Sequence, residues 1–549
     1  MIPQDNLKAR QKDYAVFLPA LSSFYSFQIC KYGKKIQASR IPAAMQNGIE
    51  GLNFLDADKS YFYYPWCLYS AGHAILEVRP EEKEEMVRNR DSNAFVLGDS
   101  GGFQIGKGVW EGDWKDPNCP KAHAKRDGVL RWMDAYMDYG MVLDIPAWVA
   151  RSPAGARATG ISTYAEAVKG TRVNNDYWMA NRTGRCKFLN VLQGENHTEA
   201  DDWYEQVKDY CDPKKYPGTH FNGWAMGGQN MCDIHLVLRR IVAMIRDGLL
   251  EEGIHDWMHF LGTSKLEWAL LLTDIQRAVR KHHNPKFTIS YDCASPFMAN
   301  AKGLVYSETR MDHGEKWTYS MDAGLDDKRY AGDTRLYGDV ARLEGKDGLE
   351  RFVDSHLSKH MMVKDICCYA PGDLNMIGKE GKTSWDSFSY AIQMGHNVWK
   401  HIDAVLSANE LYDQGIMPDM LIRNKFHIEY FTNIVDDIIA NASNSRADEL
   451  IEHYNKFWME IIGQRGYVGK KTVNATTKYN QLVKEISDPD AATAIIEKNL
   501  KEEKPIPATP DPQFTTHIEF EGNLKKEEIS KPKATKKTTP QFKNLFEAN

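Results

Sequence analysis

Phe95-Val96-Leu97-Gly98-Asp99-Ser100-Gly101-Gly102-Phe103-Gln104 is the stretch whose reading decides the fold. An apolar, β-prone run reaches an acid, and small residues follow at once, as a strand does when it ends at a tight turn. The same grammar recurs along the chain. Met141-Val142-Leu143 stops at Asp144, and Phe188-Leu189-Asn190-Val191-Leu192 stops at Gln193. Trp224-Ala225-Met226 stops at Gly227-Gly228, Met258-His259-Phe260-Leu261 at Gly262, and Phe287-Thr288-Ile289-Ser290-Tyr291 at Asp292. The tips follow one another at roughly 30 to 50 residues, enough for a loop, a helix and a return to a parallel strand. Residues 198–210, 234–250 and 266–281 carry apolar side chains at helical spacing between them. Two earlier runs, 14–18 and 61–68, bring the strand count to eight. The pattern predicts an α/β fold, a (β/α)8 barrel over residues 1–300, with the polar tips on the carboxyl rim where barrel enzymes keep their chemistry. An open doubly wound sheet is the alternative that the same alternation permits.

Beyond the barrel, residues 301–344 read as a polar, Gly/Asp-rich insertion and 345–485 as a mostly helical region. Residues 486–549 read as a Pro/Lys-rich disordered tail, either a solvated extension or a nucleic-acid arm. The 549 residues are 42% hydrophobic and 26% charged, with 14 Trp, 26 Tyr and 21 Phe, which excludes whole-chain disorder. Mean hydropathy is −0.54. No apolar run is long enough to span a bilayer, and the first ten residues lack a signal core, so no membrane association and a cytoplasmic location are expected. The nine scattered cysteines fit a reducing compartment. A net charge of −6 gives no bulk attraction for a polyanion, so nucleic-acid binding would rest on a local basic patch.

Three groups of residues carry chemistry. In Asp99 to Gln104, Gly101 and Gly102 allow close approach to the backbone, and Phe103 can stack on a planar base. Asp292, at the end of the last strand, faces Asp99 across the rim. Such a pair can divide labour, one carboxylate attacking a sugar C1′ while the other moves a proton. Asp144, Gln193 and a backbone N–H of Gly227 or Gly228 match the donors and acceptors on guanine's Watson–Crick edge. Each also has an ordinary alternative: a helix cap for a rim Asp, a loop amide for Gln193, a plain turn for the glycines.

At these residues the chain resembles the tRNA-guanine transglycosylases. That family carries the Asp-Ser-Gly-Gly-Phe-Gln motif unchanged, a Phe-Asp-Cys motif similar to Tyr291-Asp292-Cys293, and an ordered set similar to Asp144, Gln193-Gly194, Gly227-Gly228 and His259-Phe260-Leu261-Gly262. The resemblance spans roughly residues 60–300 well and 345–440 weakly. It implies base exchange: Asp292 as nucleophile, Asp99 as general acid/base, Ser100, Gly101, Gly102, Phe103, Asp144, Gln193, Gly227, Gly228 and Gln229 around the base, and Leu261 beneath it. It implies no ATP or redox cofactor, and a homodimer.

The chain also departs from that family. Two arginine positions after the nucleophile, which help hold the tRNA anticodon loop, are Met298 and Ala301 here. The family's zinc pattern, Cys-x-Cys-x-x-Cys with a distant His, is absent. His356, His360, Cys367, Cys368 and His396 are the residues left that can form a different zinc site, with buried thiols and surface histidines as the plainer reading. Gln229 stands where Leu is usual, and its amide can donate to a 7-position nitrile. These departures resemble the DNA-guanine transglycosylase branch of phages and bacterial modification islands, which inserts 7-deazaguanine bases, 7-cyano-7-deazaguanine or derivatives, into DNA. In phages this evades restriction. A divergent tRNA enzyme and a non-catalytic nucleic-acid-binding subunit are the alternatives. For DNA, the segment Lys107 to Lys115 with Trp110 and Trp114 is expected to help flip the base, and Arg151 and Arg157 to meet phosphates.

Overall fold

The computed structural model describes residues 1–36, 38–340, 342–344, 350–368, 384–422 and 430–464. Eight parallel strands form one sheet: β1 (Val16–Pro19), β2 (Trp66–Ser70), β3 (Phe95–Asp99), β4 (Tyr139–Met141), β5 (Lys187–Leu192), β6 (Gly223–Met226), β7 (Trp257–Phe260) and β8 (Thr288–Cys293). β8 pairs with β1 through Asp292 opposite Leu18. The ring closes where Ala20 bridges Leu68 and the Leu21 N–H donates to the Leu68 carbonyl at 2.9 Å. Closure settles the topology in favour of the (β/α)8 barrel over the open sheet.

Between strands run α1 (Pro120–Tyr136), α2 (Tyr164–Asn181), α3 (His197–Val207), α4 (Ile234–Arg246) and α5 (Leu266–His282). Caps start three of them. Thr163 accepts from the Glu166 N–H, Asn196 from Glu199 and Asp233 from Leu236. The first crossover carries an irregular helical run, Ser23–Phe27 continuing through Gln28–Tyr32 and Gly33–Lys35, and the second only the short turn Met86–Arg88. The long α6 (Ser387–Asp413) lies in the outer layer against α5 and β1. It is followed by α7 (Phe431–Ala440), α8 (Arg446–His453) and α9 (Asn455–Gln464). Residues 465–549, with the expected tail, lie outside the described residues.

Two cores result. Inside the barrel, Val16, Leu18, Leu68, Leu97, Met141, Leu189, Val191 and Ala225 pack together. At the amino ends of the strands an aromatic floor plugs it: Trp257 stacks on Phe95 at 4.3 Å and lies 5.3 Å from Tyr139. The larger core lies between strands and outer helices.

Three details differ from the sequence reading. The fourth strand is Tyr139–Met141, so Asp144 sits three residues past its end. In the run 61–68 only Trp66 onward is strand; Tyr64 is instead buried with its hydroxyl on the Phe17 carbonyl at 2.7 Å. The stretch read as a polar insertion holds an antiparallel hairpin, β9 (Leu304–Arg310) and β10 (Thr318–Ala323). Its Leu304, Val305, Tyr306, Tyr319 and Met321 are buried, and Asn397 and His396 of α6 meet the Tyr306 backbone, so the hairpin packs against that helix.

Candidate active site

Asp292 sits in β8 and points into the top of the barrel, 7% exposed. The Gly262 N–H donates to its Oδ1 at 2.8 Å, and His259 Nε2 meets the same oxygen at 3.2 Å. Among the described residues no donor reaches Oδ2. His259 continues inward: its Nδ1 lies 2.9 Å from Ser290 Oγ, which also accepts from Trp257 Nε1 at 2.8 Å. A carboxylate only accepts, so the neutral imidazole carries its hydrogen on Nε2, toward Asp292, and its Nδ1 accepts from Ser290 Oγ–H while that same oxygen accepts from the indole. Trp257, Ser290, His259 and Asp292 thus form one polar file from the floor to the rim. The sequence reading assigned no role to His259. The signal for it was parity, since His259 pairs with Ser290 in register and shares the inward face with Asp292 one strand over.

Asp99 closes β3, paired with Ser70. Burial, then the charge of Asp292, raises its proton affinity above that of an ordinary carboxyl, while Ser70 and the Gly101 N–H act in the opposite sense. Asp144 is buried, and Gln193 Nε2 donates to its Oδ2 at 2.7 Å. Burial pushes Asp144 up to about 7, and Asp99 adds to the rise. The three carboxylates therefore share one electrostatic neighbourhood.

The two glycines of the motif have separate reasons. Gly101 has φ 78°, a left-handed conformation. Gly102 leaves room for Asp144, since a Cβ there would lie 2.7 Å from its carbonyl and 2.8 Å from its Oδ1. Ser100 is buried, and its Oγ reaches the Val142 carbonyl at 3.4 Å, tying the β3 tip to the segment before Asp144. Phe103 is half-buried beside Trp148, ring centroids 6.1 Å apart. Leu261 caps the barrel interior.

Of the two glycines after β6, the Gly227 N–H donates to the Leu192 carbonyl at 2.9 Å. Gly228 opens a 3-10 turn, so its N–H has no partner within that turn and is the one left to meet a ligand. It has φ 54°, and a Cβ would strike the Gly194 carbonyl at 2.3 Å. Gln229 is turned away from a simple nitrile contact: its Nε2 donates to Asp233 Oδ2 at 3.0 Å.

Other expected residues fall elsewhere. Trp110 and Trp114 are buried rather than presented as wedges, with Trp114 Nε1 on the Trp110 carbonyl at 3.0 Å. Arg151 pairs with Glu195 and Glu199, while Arg157 is exposed on the rim helix Pro153–Thr159. The five zinc candidates do not converge. His356 Nε2 meets the Pro3 carbonyl and packs edge-on to His360, whereas His396 Nε2 meets the Tyr306 carbonyl. Cys367 and Cys368 donate to the Leu325 and Ser384 carbonyls. This set does not fit a zinc ion. No helix of the described residues is long and apolar enough to cross a membrane. No protein-family model matches the chain, and no curated protein matches its sequence.

Proposed function

We propose that the protein is a guanine transglycosylase that replaces guanine in DNA with a 7-deazaguanine base, as a phage would to shield its genome from restriction. The observation that carries this reading is the pairing of Asp292 and Asp99. One carboxylate has Oδ1 pinned by two donors and Oδ2 open; the other, across the barrel mouth, has a raised proton affinity.

Asp292 Oδ2 attacks C1′ of the deoxyguanosine. The C1′–N9 bond breaks, its electron pair leaves with guanine, and protonated Asp99 gives its hydrogen to that base. Guanine departs, leaving an ester between Asp292 and the sugar. The incoming 7-deazaguanine gives its N9 hydrogen to Asp99, N9 attacks C1′, and the ester bond breaks to restore the Asp292 carboxylate. The Gly262 N–H and His259 hold that carboxylate in both halves, positioning rather than reacting. Asp144 accepts from guanine N1–H and the exocyclic amine, Gln193 orients Asp144, and the Gly228 N–H donates to O6. Phe103 and Leu261 cover the two faces of the ring.

DNA is favoured over tRNA by Met298 and Ala301, which stand on the short helix Ser295–Ala301 where the family places its tRNA-holding arginines. The test offers the purified chain labelled 7-cyano-7-deazaguanine with guanine-containing DNA or with unmodified tRNA. Label in DNA alone is expected. Label in tRNA alone means a divergent tRNA enzyme, and binding without label means a non-catalytic subunit. Asp292→Ala should lower incorporation by roughly 10³-fold or more and remove the covalent adduct.

A further inference from the structure

Outside the three-carboxylate site, the loops after β5 and β6 bring His197, Asp233 and His235 together. One donor atom from each lies within 4.8 Å of the others. His197 is the first residue of α3, Asp233 caps α4, and His235 is the second residue of α4. His197 Nε2 is 2.6 Å from Asp233 Oδ2. The two imidazoles stack, centroids 5.4 Å apart and planes at 19°. A helix cap needs only Asp233, and the ion pair with it needs only His197; His235, which also meets Glu452, adds a second imidazole within ligand distance.

We infer that these three residues form a binding site for a first-row divalent cation of the zinc type, separate from the residues proposed to handle the base. Two imidazoles and one carboxylate are the donor set such ions prefer, and three protein ligands leave a coordination position open. The site is braced from behind. The Leu236 N–H holds Asp233 Oδ1 at 3.1 Å, and Gln229 Nε2 holds Oδ2 at 3.0 Å. His235 Nε2 also meets Glu452 Oε1 on α8 at 3.0 Å, a second carboxylate beside the cluster. The side chain of His197 is 40% exposed, so a cation reaches the site from solvent. Gln229 is 6% exposed, and its Oε1 is buried without a hydrogen-bond partner. A water on the open position is the donor that would satisfy it. Because the ligands stand on the same two loops as Gln193 and Gly228, the cation places positive charge at the barrel mouth, where a phosphodiester would pass if the base-exchange reading holds. Binding of the metal itself does not depend on that reading.

The test uses the full chain stripped with EDTA, then titrated with Zn²⁺ alone and with Co²⁺ alone. One equivalent of zinc per chain is expected at micromolar free metal, with a rise in melting temperature. The cobalt form should absorb as a nitrogen/oxygen site without thiolate charge transfer, which separates it from any cysteine site. His235→Ala and His197→Gln should each weaken zinc binding at least tenfold and remove the thermal shift, while their EDTA-treated melts match the wild type. A wild type that retains no stoichiometric zinc, a cobalt spectrum with thiolate bands, or zinc binding undiminished in both variants would each overturn the site.

Discussion

Asp144 is a carboxylate that burial pushes toward the neutral form, at about 7, yet guanine's edge offers it only donors. Only the ionised form can accept from both N1–H and the exocyclic amine. The proposed base contact therefore strengthens as pH rises. The KM for the incoming base should fall by up to about tenfold per pH unit below 7 and level off above it. Asp144→Asn should flatten that dependence and weaken binding throughout; a wild-type KM independent of pH from 6 to 8 would remove Asp144 from base recognition. At this scale the sequence disclosed residue types well and partners poorly. Asp99, Asp144, Gln193 and Asp292 could be picked out as strand-tip polar residues. That Gly102 must be small to admit Asp144 depends on a neighbour 42 positions along the chain. The burial of Trp110 and Trp114 is equally non-local, and an aromatic-basic segment looks the same whether its rings face in or out.

Adjacent strands β7 and β8 act as one element, because Ser290 and His259 join them across the register. Their polar file holds the ring whose Nε2 hydrogen reaches Asp292. His259→Phe keeps the ring volume and deletes that hydrogen. It should lower kcat for incorporation by about 10- to 100-fold, roughly 1.4–2.7 kcal/mol, and leave the KM for the base unchanged. Ser290→Ala should act in the same direction and by less. An unchanged kcat in His259→Phe would reduce the file to packing. Seven of the eight strand positions could be read from apolar runs to within about two residues, because each run is buried on both faces. The run 61–68 was misread over its first half, since loop aromatics under the barrel are as apolar as a strand. The β9–β10 hairpin was hidden by the polar residues that make up about half of its strands, Ser307 to Arg310 in β9 and Thr318, Ser320 and Asp322 in β10.

At the scale of the whole molecule, the C-terminal helices are fastened to the barrel rather than appended to it. Arg40 makes a two-pronged pair with Asp386 at the start of α6, at 2.6 and 2.8 Å, and Arg10 binds Asp403 and Glu410 farther along. Between α5, α6 and α7 lies Asp274, whose Oδ2 accepts from Tyr412 at 2.5 Å and from Thr432 at 2.8 Å. Burial pushes it up to about 7 from 3.8, so between those values the folded chain holds a proton that the unfolded chain releases. Its contribution to stability is full below the unfolded value and is lost as pH rises toward 7, by up to about 1.4 kcal/mol per pH unit. Asp274→Asn should make the unfolding free energy, measured with denaturant at pH 5 and pH 8, flatter than that of the wild type; an unchanged slope would show that Asp274 is ionised in the fold. The barrel itself was legible from the recurrence of strand tips, whereas this fastening depends on pairs hundreds of residues apart that no local pattern announces. The aromatic floor has a last consequence. A vessel stoppered by Trp257, Phe95 and Tyr139 has one doorway. Outgoing and incoming bases must then queue through the same opening, so for the exchange proposed above traffic alone imposes turn-taking: the old base clears the doorway before its replacement enters.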